Sequence, residues 1–234
     1  MKLLIDADII AYQAAAIAEQ EGRDRAITNA RVMLSDICKA LNCKDRQLFL
    51  TGEGNFRKEV AVSREYKGNR KDKPKPRHLA AVRESLEDIG AVVAQGIEAD
   101  DAIATAAVAN PKAVICSTDK DFLQVPGMQY NWTKKKKLRV SEENGYYWFC
   151  RQCLTGDSAD NIPGLKGIGP KKAQALLEPF RHSMEDMWAT VHLAYKEAGL
   201  GEDYLTEQAR LLWLLREDGA HWSLEYNRRF IDGR

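Results

Sequence analysis

Four short apolar runs constrain this chain more than anything else in it. They are KLLI at 2–5, RQLFLT at 46–51, AVVAQ at 91–95 and AVICST at 113–118. Each suits a strand buried on both faces, as in a parallel sheet. Helical patterns separate them. Ile27, Ala30, Leu34, Ile37 and Leu41 recur at three- and four-residue spacing, and so do Leu79, Val82, Leu86 and Ile89. The Ala-rich ADDAIATAAVAN opens with carboxylates, as a helix N-terminus favours. The order β-α-β-α-β-α-β predicts an α/β fold, with a mostly parallel central sheet flanked by helices. MQYNWTKKKKLRVS then predicts a hairpin with a lysine-rich turn. From about Glu142 the strand signals fade, and KKAQALL, MEDMWATVHLAYKEA and YLTEQARLLWLL predict a helical lobe. The expected division is an α/β region over 1–140, carrying a basic loop at about 64–78, and a helical lobe over 141–234, carrying a Gly-rich turn at 154–177.

Composition adds little beyond class. With 44% hydrophobic and 29% charged residues, the chain reads as an ordinary globular protein. A net charge of +1 leaves room for a basic patch and an acidic cluster that cancel. Asp6 and Asp8 interrupt the first apolar run, which is too short for a signal peptide. No apolar segment approaches the roughly 20 residues of a membrane span. Five scattered cysteines fit reduced thiols, so a cytoplasmic, membrane-free setting is expected. Cys150 and Cys153 form a CxxC, but no second pair of ligands follows, which favours buried thiols on a helix over zinc.

The acids have a pattern of their own. Asp6 and Asp8 follow the first run, Glu98, Asp100 and Asp101 the third, and Asp119 and Asp121 the fourth. In an open parallel sheet the carboxyl ends of the strands share one edge, where ligands bind. Asp157 and Asp160, from the next lobe, are candidates to reach the same crevice. So many carboxylates repel unless cations hold them, and hard divalent ions with oxygen ligands, magnesium or manganese, suit the set. Helix capping explains any one cluster, but not their joint placement after strand ends.

Basic residues form the counterpart. SREYKGNRKDKPKPRH places seven basic residues and two acids between Arg64 and Arg77, with Tyr66 and Gly68 interleaved. Beside an acidic metal crevice, such a loop suggests an electrostatic funnel for a nucleic-acid strand, with Arg64, Tyr66 and Lys71 in contact. Lys67 and Arg70 are spaced to share a helical face and point at one phosphate. Lys134 to Lys137 fit a solvated hairpin tip or a backbone contact equally. In GLKGIGPKKAQALL, Gly164, Gly167 and Gly169 permit tight turns and close approach of another surface. Pro170 suits the first helical position, and the helix N–H groups with Lys171 and Lys172 would hold a phosphate backbone without reading sequence. A plain helix–turn–helix packing element is the alternative.

Taken together these segments resemble the 5′-nucleases, the family of flap endonucleases and 5′→3′ exonucleases that includes small phage members and the nuclease domain of bacterial DNA polymerase I. LLIDADIIAY, FRKEVAVSREYKGNR, GIEADDAIA, STDKDFLQ and LTGDSADNIPGLKGIGPKKA carry the likeness, which spans nearly the whole chain. The resemblance implies a PIN-like catalytic region followed by a helix–three-turn–helix DNA-binding element. It implies two divalent ions, with Asp6, Glu98 and Asp100 mainly at the first and Asp119, Asp121, Asp157 and Asp160 at the second. It also implies a potassium ion on carbonyls of the Gly-rich turn, Lys67 and Arg70 as phosphate-contacting catalytic residues, and a monomer acting on DNA with a 5′ end or flap. Two departures stand out. The family's Asp after the second strand is absent, with Glu53 as its possible substitute, and Ala7 replaces a Gly, with the extra acid Asp8 next to it. Asp8 is open between ligand, outer group and helix cap. The competing readings are a non-catalytic DNA-binding module and a ribonuclease acting on RNA–DNA hybrids.

Overall fold

The structure, a computed structural model, describes residues 1–233. In chain order the strands and helices are β1 (Leu3–Asp6), α1 (Ala7–Ile17), α2 (Arg23–Leu41), β2 (Arg46–Thr51), α3 (Arg57–Val60), α4 (Leu79–Glu87) and β3 (Val92–Ala94). They continue with α5 (Ala99–Ala109), β4 (Val114–Cys116), β5 (Gly127–Asn131), β6 (Lys136–Val140) and α6 (Glu142–Thr155). The last four are α7 (Pro170–Leu177), α8 (Met184–Glu197), α9 (Glu202–Leu212) and α10 (Leu224–Ile231). No described helix is long and apolar enough to cross a membrane.

Two compact units share the chain. Among the described residues the first comprises 1–55, 73–122 and 127–139, and the second 56–72, 123–126 and those from 140 onward. In the first, six strands form one sheet in the order β3-β2-β1-β4-β5-β6, and the pairings from β3 through to β5 are parallel. Register sets Asp6 beside Phe49 and Ile5 beside Cys116, so the strand ends at Asp6, Thr51, Ala94 and Cys116 lie along one edge. Alternation on the strands then divides the residues. Leu3, Ile5, Leu48, Leu50, Val114 and Cys116 join the core cluster of α1, α2 and α4, while Leu4, Phe49 and Ile115 face away from it. Ala7, Ala11, Ala14 and Ala15 are all buried, and their small side chains let α1 lie close against α2 and α4. On the remaining face α5 packs over β1, β2, β3 and β4.

Most of the expected elements form. α1 was not anticipated: Asp6 Oδ1 accepts the Ile9 N–H at 3.2 Å as its N-cap, and an Ala-rich run follows. Ile89 does not belong to the face of α4, which ends at Glu87, and it is exposed.

The larger difference concerns the basic segment. It was expected inside the α/β region, yet residues 56–72 group with the helical unit. Arg57 causes this. It is 1% exposed and donates from Nε to the Leu211 carbonyl at 2.9 Å and from Nη2 to the Trp213 carbonyl at 2.8 Å. Glu207 Oε1 accepts from the Val62 and Ser63 N–H groups at 2.9 and 2.8 Å. Residues 123–126 join the same unit through Gln124, whose Nε2 donates to Leu212 O and Gln152 Oε1, each at 2.7 Å. Trp213, Trp222, Phe149 and Tyr146 fill that core, with the Arg216 guanidinium over the Trp213 ring at 4.4 Å. Cys150 and Cys153 are buried free thiols on α6, as expected. Burial pushes both thiols up, out of the reactive range.

Candidate active site

The parallel register delivers the carboxylates of the first unit to the carboxyl edge of its sheet. Asp6 ends β1 and is nearly fully buried, with its Oδ2 accepting the Ser117 hydroxyl at 2.9 Å. Burial pushes its carboxyl up to about 7, and the charges of Asp8 and Asp119 add to the rise against the hydrogen bonds from Ile9 and Ser117. Asp8, in the first turn of α1, accepts the Thr51 N–H at 2.8 Å and is ion-paired with Arg83. Arg83 in turn donates to Thr51 O at 2.5 Å, tying α4 to the end of β2. Of the three roles left open for Asp8, the observed contacts are those of a carboxylate held behind an arginine.

Glu98, buried, is the N-cap of α5 and forms a reciprocal capping box with Asp101. Asp101 is fully buried and its Oδ2 accepts the Glu98 N–H at 3.2 Å, so this candidate is occupied with starting the helix. Asp100 is half-buried, and its Oδ1 accepts the Asp101 N–H at 2.8 Å. Asp119 is exposed and accepts the Asp121 N–H at 2.9 Å, while Asp121 lies 3.8 Å from Lys120. Glu53, the candidate substitute, is an exposed side chain whose backbone joins Gly96 and Gln95. Ser117, Arg83 and Thr51 were missed from the sequence. A Ser directly after a strand that is followed by acids was the available signal for Ser117. Arg83 had none, because its partner is set by helix packing.

Among the described residues no three His, Cys, Asp or Glu side chains are grouped closely enough to hold a metal ion. The carboxylates are turned instead to donors of the protein. The donor set nevertheless suits a hard divalent cation: it is all carboxylate oxygen, and the buried Asp6 carries a charge that its surroundings disfavour.

In the second unit, residues 65–70 are fastened to 157–161. Lys67 N–H donates to Asp160 O at 2.9 Å, Asn69 Nδ2 to Ser158 O at 2.7 Å, Arg70 Nε to Ala159 O at 2.8 Å and Asn161 Nδ2 to Glu65 O at 2.9 Å. Lys67 and Arg70 do converge on one anionic group, and that group is the Asp160 carboxylate. Arg70 Nη2 is 2.5 Å from Oδ1, Lys67 Nζ 3.9 Å from Oδ2, and the Tyr66 hydroxyl donates to Oδ2 at 2.9 Å. The two cations do not share a regular helix: Lys67 has φ +56° and precedes the single 3-10 turn Gly68–Arg70. Tyr66, expected to touch nucleic acid, is buried beneath Lys67, with Nζ 4.9 Å from the ring. Arg64 and Lys71 are exposed, and Lys71 pairs with Glu65 at 2.5 Å.

Asp157 is buried, its Oδ1 accepts the Ala159 N–H at 2.7 Å, and its backbone bridges to Ile162. This closes a loop between two glycines. Gly156 has φ +67° and Gly164 φ +59°, and a Cβ on Gly156 would lie 2.2 Å from Ile162 O. A Cβ on Gly164 would lie 2.2 Å from Gly156 N, so the close approach Gly164 permits is internal to the chain rather than to a ligand. Gly156 was not singled out from the sequence. Gly167 and Gly169 face open space, and Pro170 is the first residue of α7, followed by exposed Lys171 and Lys172.

A parallel sheet with carboxylates along its carboxyl edge marks that edge as the ligand-binding side, and similarity to known proteins defines the class. Residues 1–147 match the 5′-3′ exonuclease, N-terminal resolvase-like domain. An exodeoxyribonuclease of Enterobacteria phage T3 is 30% identical, across 98% of this chain and 90% of the relative. A flap endonuclease Xni of Shewanella baltica (strain OS223) is 36% identical, across 70% of this chain and 68% of the relative. A T5 5′-exonuclease structure with divalent zinc bound shares the fold at 17% identity, with TM-score 0.62, covering 93% of this chain and 100% of that one. The chain belongs to the 5′-3′ exonuclease family.

Proposed function

We propose that the protein is a metal-dependent, structure-specific 5′-nuclease that hydrolyses DNA phosphodiesters at 5′ ends or 5′-flap junctions. The observation that carries this reading is the row of carboxylates after β1, β3 and β4, centred on the buried Asp6. Asp6, Glu98 and Asp100, with Asp119 and Asp121, are the residues of the first unit that would hold magnesium or manganese ions. Bound there, the ions would lower the pKa of a water and stabilise the departing oxygen. Ser117 and the Ile9 N–H orient Asp6, and Arg83 restrains Asp8. Lys67 and Arg70 already surround one anionic group, the geometry needed to receive a phosphate in place of the Asp160 carboxylate. The start of α7, with Lys171 and Lys172, would grip a phosphate backbone without regard to base sequence. Relatives named as exonucleases and as flap endonucleases support either mode of cutting.

The test is Asp100→Ala with a 5′-labelled flap duplex and magnesium. The variant is expected to bind the substrate and leave it uncut. Cleavage at the wild-type rate would remove the metal assignment. Product lengths from flap, nicked and blunt duplexes distinguish exonuclease from flap endonuclease.

A further inference from the structure

The amino ends of the strands lie at the sheet edge opposite the carboxylates. There a cavity of about 540 Å³ opens between the second half of α2, the residues leading into β2 and Ile89, two residues past α4. Arg31, Lys39, Lys44 and Arg46 line it, and no carboxylate does. Lys39 is 3.8 Å from Asp36, whereas among the described residues Arg31, Lys44 and Arg46 have no carboxylate partner. Among the described residues Arg31 Nη2 reaches only Ser85 Oγ at 3.4 Å, and Arg46 Nη1 only Cys38 Sγ at 3.8 Å. Three cations without a carboxylate around one concavity repel one another unless an anion joins them. Two apolar side chains line the same cavity: Ile89, 43% exposed, forms its wall, and Leu34, 3% exposed and part of the core, lies beneath it. The volume falls in the range of roughly 300–1,000 Å³ typical of small-molecule sites.

We propose that this cavity binds a nucleoside monophosphate, with its phosphate among Arg31, Lys44 and Arg46 and its base against Ile89. Cations and apolar wall together favour a ligand with both a phosphate and a flat apolar part over a bare anion. The site is separate from the carboxylates. Arg46 and Thr51 are the two ends of β2, and six residues of strand put roughly 17 Å between them.

The experiment is calorimetric titration of the full chain with a deoxynucleoside 5′-monophosphate in EDTA, which removes divalent ions from the carboxylate edge. Saturable binding of one equivalent is expected, weakened by about 10-fold or more in Lys44→Ala/Arg46→Ala, since two charge-assisted contacts are lost. Cleavage of a flap duplex by that variant in magnesium should stay at the wild-type rate, which also shows that it folds. A second readout uses Cys38 and Cys43, which line the cavity while the other three cysteines are buried. The nucleotide should slow their labelling by a maleimide. Absence of saturation by about 10 mM, or equal binding by the variant, would overturn the proposal. So would inorganic phosphate binding as tightly as the nucleotide, unchanged thiol labelling, or displacement of the nucleotide by a short duplex, which would make this face a contact for DNA backbone.

Discussion

Asp6 is buried between Asp8 and Asp119, and its carboxyl is pushed up to about 7. The unfolded chain, with an ordinary carboxyl near 4, then holds its proton less tightly than the folded one. The stability that Asp6 contributes is therefore complete at pH values below about 4 and is lost as pH rises through about 7. Three units correspond to roughly 4 kcal/mol as an upper bound. In EDTA, urea unfolding should show this decline between pH 4 and pH 8, superimposed on the other titrations, and Asp6→Asn should flatten it. Magnesium at pH 8 should restore stability to the wild type and much less to Asp6→Asn. A second residue-scale expectation concerns Tyr66→Phe, which removes the hydroxyl held by Asp160 and should cost about 1 kcal/mol in urea unfolding. Asp6 and Asp119 were legible in the sequence because strand ends of a parallel sheet gather at one edge. The pairing of Asp8 with Arg83 was not, since it depends on how α4 packs against α1.

At the scale of elements, the loop 156–164 is set by two glycines pressed against each other. Gly156→Ala combines positive φ with a Cβ 2.2 Å from a carbonyl oxygen, whereas Gly167→Ala has φ +80° and open space. The first should cost about 3 kcal/mol or more and the second about 1 kcal/mol, measured as shifts in urea midpoint at constant m. Equal costs would mean the loop closes less tightly than the glycine geometry requires. The sequence marked Gly164, Gly167 and Gly169 alike, because a glycine that avoids its own chain looks the same in one dimension as one that faces solvent. The helices of the lobe were legible for the opposite reason, since their period needs no knowledge of neighbours. α1 was obscured because its alanines give a weak periodic signal next to a strong strand.

At the scale of the whole molecule, the two compact units are interleaved along the chain. Residues 56–72 and 123–126 leave the first unit and return to it, and nothing local in FRKEVAVSREYKGNR announces that Arg57 will be buried under α9. Arg57→Ala should leave the Leu211 and Trp213 carbonyls without donors and destabilise the protein by about 3 kcal/mol or more in urea unfolding. A loss below 1 kcal/mol would show that water or another donor replaces the guanidinium.

The Arg57 clasp also puts a clock on the birth of the protein. Its acceptor on Trp213 lies 156 residues downstream. At roughly 5–20 residues per second, a ribosome needs about 8–30 s to add that stretch. For that time the guanidinium stays hydrated, and the segment that carries Lys67 and Arg70 has no Asp160 until most of the wait is over. Those two cations therefore acquire their arrangement no earlier than the addition of Asp160, 90 residues after Arg70.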